Sequence, residues 1–238
     1  NISIIEGILY AINNGADVIN LSLGKYFPPN ITSLPDSEQR KLIETRSLDE
    51  EAFWIEIFEM ANDENITIVL AAGNQDILTG IDAITRSKST INVASVDDQL
   101  RKSDFSNYSD TYTVVSAPGG DNPGRGEDIY SCFPNNQYES MPGTSMAAPI
   151  ISGVVALMKS IDPDITNQEI KDIFQETGKD LNPNYNIGPL VQVDKALKAC
   201  GGTENPENNN EEERRRIEKE IKKKRDEIKE LEEKLEDL

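Results

Sequence analysis

The sequence predicts an α/β layer fold built on a parallel sheet, and two observations carry that prediction. Short apolar runs at 17–23, 66–71, 90–96 and 111–116 are apolar nearly throughout rather than alternating, as strands covered on both faces are. They are interleaved with segments of helical periodicity and joined by connections long enough for crossovers.

Each element has its own local reason. Ile4, Ile5, Ile8, Leu9 and Ile12 recur at helical spacing across 2–14, and Gly15 follows as a stop. The run from Asp17 to Leu23 reads as a short buried strand. From Lys25 to Ser47 the pattern dissolves into Pro, Asn, Ser and charges, which predicts a surface loop. A helix is expected over 49–62, with Phe53, Trp54, Ile57, Phe58 and Ala61 on its apolar side. The strand at 66–71 ends in Gly73 and Asn74. Ser145 opens an almost wholly apolar helix to about Ser160, with Pro149 in its first turn, where a missing donor costs little. A further helix starts near Thr166, where Thr166 and Glu169 have capping-box spacing, and ends at Gly178.

Composition sets the outer limits. The chain has 238 residues and a formal net charge of −19, enough for one large domain or one domain plus an appendage. Residues 211–238 hold 10 basic and 12 acidic residues, so the preceding part holds 14 basic and 31 acidic. That acidic excess argues against nucleic acid or an anionic membrane as partner. The apolar runs are too short for a membrane span and read as buried core. Two cysteines, Cys132 and Cys200, do not make a disulfide framework, and free thiols are expected.

Three parts follow from these patterns: a globular domain over 1–200, a polar Asn- and Glu-rich linker over 201–210, and a charged helix over 211–238. In the last, Ile217, Ile221, Lys224, Ile228, Leu231, Leu235 and Leu238 alternate in steps of four and three. Isoleucine at a and leucine at d favour a parallel dimer, so 217–238 is a candidate homo-oligomer seam. A solvated single helix held by Glu/Lys pairs is the competing reading.

Two residues stand out for chemistry. A serine at the start of a buried helix sits where unpaired amides and the helix dipole favour negative charge. There Ser145 can attack a carbonyl while its own amide holds the developing oxyanion; serine before a helix is also the usual N-cap. Asn74, just beyond a buried strand, is equally a turn former or an amide donor to a site at the carboxyl end of the sheet. The residues alone leave both pairs of readings open.

Longer motifs weigh on the choice. GTSMAAP at 143–149 resembles the nucleophile motif of the subtilisin-like serine proteases. IVLAAGN at 68–74 is similar to their oxyanion-hole strand, and GADVINLSLG at 15–24 to their substrate-binding strand. STINVASVD, SDFSNYS and VVSAPGG follow in the family's order, and the likeness covers about 4–199. It implies a three-layer α/β/α subtilisin-like sheet without its N-terminal part, and a serine endopeptidase acting on polypeptide. By the same likeness Ser145 is the nucleophile and Asn74 the oxyanion donor. Ser22, Leu23 and Gly24 would pair with substrate backbone, and Ala71, Ala72 and Gly73 would line the opposite wall of the specificity pocket. Many members bind calcium, although the carboxylates near loops, including Asp82 and Asp121, show no calcium-loop spacing. The likeness also favours an extracytoplasmic or secreted location.

The sequence departs from the family in one decisive respect: it contains no histidine. In the family's order Asp, His, Ser, the first two precede the Ile2 helix, so an upstream segment is expected to supply both. Without them the chain is expected to be inactive alone and to leave a sheet edge uncovered. The alternative is a non-catalytic peptide-binding or assembly module dimerising through its C-terminal helix.

Overall fold

The computed structural model describes residues 2–121 and 128–202. The linker and the candidate coiled-coil segment lie outside the described residues.

Four strands form one parallel sheet in the order β1 (Val18–Leu21), β2 (Thr67–Ala71), β3 (Thr90–Val96), β4 (Thr113–Pro118). The registers pair Ile19 with Ile68 and Val69 with Ile91. Helices cover both faces. On one lie α1 (Ile2–Asn13) and α4 (Leu48–Asp63); on the other lie α5 (Thr144–Ile161), α6 (Asn167–Thr177) and α7 (Val193–Ala199).

The apolar-throughout strands have a simple cause. Successive side chains of β2 point to opposite faces, so Ile68 and Leu70 enter the core with Trp54, Phe58 and Ile8, while Val69 and Ala71 enter the core with Ala147, Ile151 and Val155. Every β2 residue is buried. Burying such a side chain contributes about 1.5–3 kcal/mol, so a sheet between two helix layers needs apolar residues at consecutive positions. Helix α5 is apolar enough by length and composition to cross a bilayer, but its apolar side is the roof of the second core.

Most predicted elements stand within a few residues of their expected bounds, with four differences. Residues 25–47 are not a simple loop: they contain α2 (Pro29–Thr32) and α3 (Asp36–Thr45). Pro29 suits a first helical position, and Asp36 and Glu38 lie at the positive end of α3. Phe27, Ile31, Leu42 and Ile43 then pack on Ile77, Leu78 and Ile81. Gln39 is buried beneath them, donating to the Leu34 carbonyl and accepting from the Leu78 amide, each at 2.8 Å. Phe53 turns outward, 40% exposed, with its ring edge-on to Trp54. A hairpin of β5 (Ile129–Phe133) and β6 (Gln137–Met141) leads into α5 without any alternating pattern, because neither strand buries a face. Helix α7, packed on the α5 side through Ala196 and Leu197, is too short to register as periodicity. Both cysteines are free thiols. Among the described residues β1 has β2 as its one strand neighbour, so its outer edge is open.

Candidate active site

The carboxyl ends of β1 and β2 and the N-terminus of α5 meet around a cleft of ≈ 320 Å³. Its walls include Ser22, Leu23 and Gly24 after β1, Ala71, Gly73 and Asn74 after β2, and Thr144 and Ser145 of α5. Seven of the eight residues expected at the site therefore share one cavity. Ala72 does not line it; it is buried, its amide donating to the Val93 carbonyl and its own carbonyl accepting from Asn107 Nδ2.

Ser145 is not a helix cap. The N-cap position belongs to Gly143, which has no side chain with which to cap the helix. Gly143 has φ 151° and ψ 154°, a conformation open to glycine and strained for any residue with a Cβ. This turn brings the chain out of β6, past Asn74 and into α5. Ser145 becomes the second helical residue, with its amide among the unpaired donors of the first turn. Among the described residues its hydroxyl has no hydrogen-bond partner.

Asn74 is oriented by the same turn. Its Oδ1 accepts from the Thr144 amide at 2.9 Å and from Thr144 Oγ1 at 2.8 Å. Two donors on one atom identify it as the oxygen, so Nδ2 is the end left for a ligand. The Thr144 hydroxyl also accepts from the Gly73 amide at 3.1 Å, locking the end of β2 to the start of α5. Behind Gly73, Asn107 Oδ1 accepts from the Gln75 and Ile77 amides, and a Cβ on Gly73 would meet Asn107 Nδ2 at 2.3 Å. Thr144 and Asn107 thus build the site without having been singled out in the sequence. Their signal was present, inside GTSMAAP and SDFSNYS, but it concerns side chains that aim other side chains.

The far wall is set by the insertion. Lys25 and Tyr26 line the cleft, and the Gln75 side chain clasps Phe27, accepting from its amide and donating to its carbonyl, both at 2.8 Å. The Lys25 side chain is paired with Glu50. Burial holds the Asp82 carboxyl above the ordinary range, offset by the hydrogen bond from the Lys25 amide at 2.7 Å.

Calcium does not fit the carboxylates singled out. Asp82 accepts from the amides of Lys25 and Ile84, and Asp121 Oδ1 accepts from the Asp104 amide. Among the described residues no three metal-ligating side chains converge.

What remains is an open helix pole carrying a serine, beside an amide whose oxygen is already committed. Asn74, Thr144 and Ser145 thus line the same cleft.

Proteases resemble this chain over most of its length. A thermostable alkaline protease from Halalkalibacterium halodurans is 32% identical over 197 residues, covering 82% of this chain and 46% of the relative. Subtilisin DY from Bacillus licheniformis is 29% identical over 200 residues, covering 82% and 62%. A protease structure from Pseudoalteromonas arctica superposes with a TM-score of 0.64 at 26% identity, covering 83% of this chain and 58% of that one. The chain thus spans about half to three-fifths of the length of the relatives it matches. The model of the Subtilase family (Peptidase S8) matches residues 1–201. This protein belongs to the Subtilase family.

Proposed function

We propose that the chain is the nucleophile-bearing portion of a subtilisin-type serine endopeptidase that cleaves polypeptides through an acyl-enzyme on Ser145. The observation that carries this reading is the commitment of Asn74 Oδ1 to Thr144, which leaves the Asn74 amide nitrogen as a preset donor beside the start of α5.

In this reading a peptide lies along Ser22-Leu23-Gly24 as an added strand. Ser145 Oγ attacks the scissile carbonyl, and the oxyanion is held by Asn74 Nδ2 and the Ser145 amide. The C–N bond then breaks, the amine leaves with a proton, and water releases the acyl group from Ser145. A base must take the serine proton near neutral pH. With no histidine among 238 residues, the imidazole and its carboxylate partner come from an upstream segment. The chain alone hydrolyses little. The family resemblance supports an extracytoplasmic or secreted location for the whole protein.

The missing histidine also favours a second reading, a peptide-binding module that keeps the substrate strand without chemistry. Fluorophosphonate labelling of the chain extended upstream separates the two. Labelling that Ser145→Ala abolishes supports the protease. No labelling, together with peptide binding indifferent to Ser145→Ala, supports the module.

A further inference from the structure

One hydrogen-bond chain links the substrate strand to the nucleophile's own backbone, and its polarity is fixed by chemistry. In a regular helix the Ser145 carbonyl would accept from the amide of residue 149. That residue is Pro149, which has no N–H. The carbonyl is taken instead by Ser22, whose Oγ donates to it at 2.8 Å. A carbonyl only accepts, so the single Ser22 hydroxyl proton is committed and its oxygen is left to accept. It does so from Asn20 Nδ2 at 2.9 Å. Asn20 Oδ1 accepts in turn from Ser152 Oγ, two turns along α5 from Ser145, at 2.9 Å, sharing that proton with the Ala148 carbonyl at 3.1 Å. Asn20 lies in β1 and Ser22 follows just after its end, two residues along.

On the protease reading above, we infer that Ser22 and Asn20 are positioning residues. Their side chains fix the distance between the backbone edge at 22–24, where a peptide lies, and the residue that attacks it. Ser152 fixes Asn20, Asn20 fixes the Ser22 rotamer, and Ser22 ties down the one first-turn carbonyl that Pro149 releases from the helix. The link spans two elements with no backbone pairing between them, so it sets the register of peptide against nucleophile, which neither element sets alone.

The test uses the chain extended upstream and two probes, a small fluorophosphonate and a peptidyl phosphonate of the same reactivity. Ser22→Ala should slow the peptidyl probe about ten- to a hundredfold, the scale of a misplacement near 1 Å, and slow the small probe much less. Asn20→Ala, at an exposed position, should do the same more weakly. The double substitution Ser22→Ala with Pro149→Ala separates positioning from mere capping, because it returns an amide donor to the Ser145 carbonyl. The thermal midpoint should recover while the peptidyl rate stays low. Recovery of both would overturn the inference, as would equal slowing of the two probes or none by Ser22→Ala. A parent that neither probe labels fails one step earlier and removes the protease reading with it.

Discussion

Two helix starts in this protein have opposite chemistry. At α6, Thr166 accepts from the Glu169 amide while the Glu169 carboxylate accepts from the Thr166 amide and hydroxyl, a complete capping box. At α5 the N-cap is a glycine with no side chain, and the oxygen of Asn74 takes only the Thr144 amide and hydroxyl. The first start spends its donors inside the protein. The second leaves donors facing the cleft, and its geometry is held by glycine and by neighbouring strands instead. Stability and function are thus divided between helices on the same face of one sheet, and a serine or threonine near a helix start belongs to either class until its neighbours are known.

Substitutions at the two starts should therefore separate activity from stability. The largest effect is expected from Asn74→Asp, which keeps an acceptor for Thr144 and loses the donor to the oxyanion. Labelling of the upstream-extended chain should fall by about 10²–10³, the loss known for removing this kind of donor in subtilisin, with little change in melting. A rate within a few fold of the parent would mean that Asn74 is only a turn former. Next comes Gly143→Ala, which forces a Cβ into a φ of 151°, where it would stand 3.3 Å from Met146 Sδ. It should cost about 1–3 kcal/mol in chemical denaturation and also slow labelling. Thr166→Ala should cost about 1 kcal/mol and leave the labelling rate unchanged; a slower rate would show that the two starts are coupled. The smallest effect concerns pH. Hydrogen bonds from the Thr166 hydroxyl and amide hold the Glu169 carboxyl below its ordinary range. Its contribution is thus present above the ordinary carboxylate range and is lost as pH falls below it, through the folded-state value. Glu169→Gln should flatten that part of a melting-against-pH curve, while Ser145→Ala should not.

Much of this was legible in the sequence, for physical reasons that also mark what was not. The strands were visible because burial on both faces demands consecutive apolar residues, as at Ile68, Val69 and Leu70. The α6 box was visible because both of its partners are local. The insertion was hidden because α3 puts only Leu42 and Ile43 into an apolar cluster and is otherwise held by single bonds, Gln39 to the Leu78 amide and Asp36 to the Tyr108 hydroxyl, too little for a periodic face to read. At the site, the motifs indicated Ser145, Asn74 and the Ser22 strand. The roles of Thr144 and Asn107 and the Ser152–Asn20–Ser22 link depend on contacts across 70, 35 and 132 positions of sequence. No local pattern encodes those. The cap reading of Ser145, left open by the residues alone, is excluded by Gly143, which holds the N-cap position.

The double role of β2 bears on how such a sequence can drift. Ile68 and Leu70 press on α1 and α4, far from the cleft, whereas Val69 and Ala71 lie against Ala147 and Ala148 in the turn that carries Ser145. Adjacent positions of one strand, equally buried, therefore answer to different selection. A change of volume at Ile68 is absorbed by the outer helices and registers as melting temperature. The same change at Val69 reaches the turn that carries Ser145 and, on the protease reading, registers as rate. Among descendants of this sequence, variation along β2 should accordingly alternate, freer at every second residue.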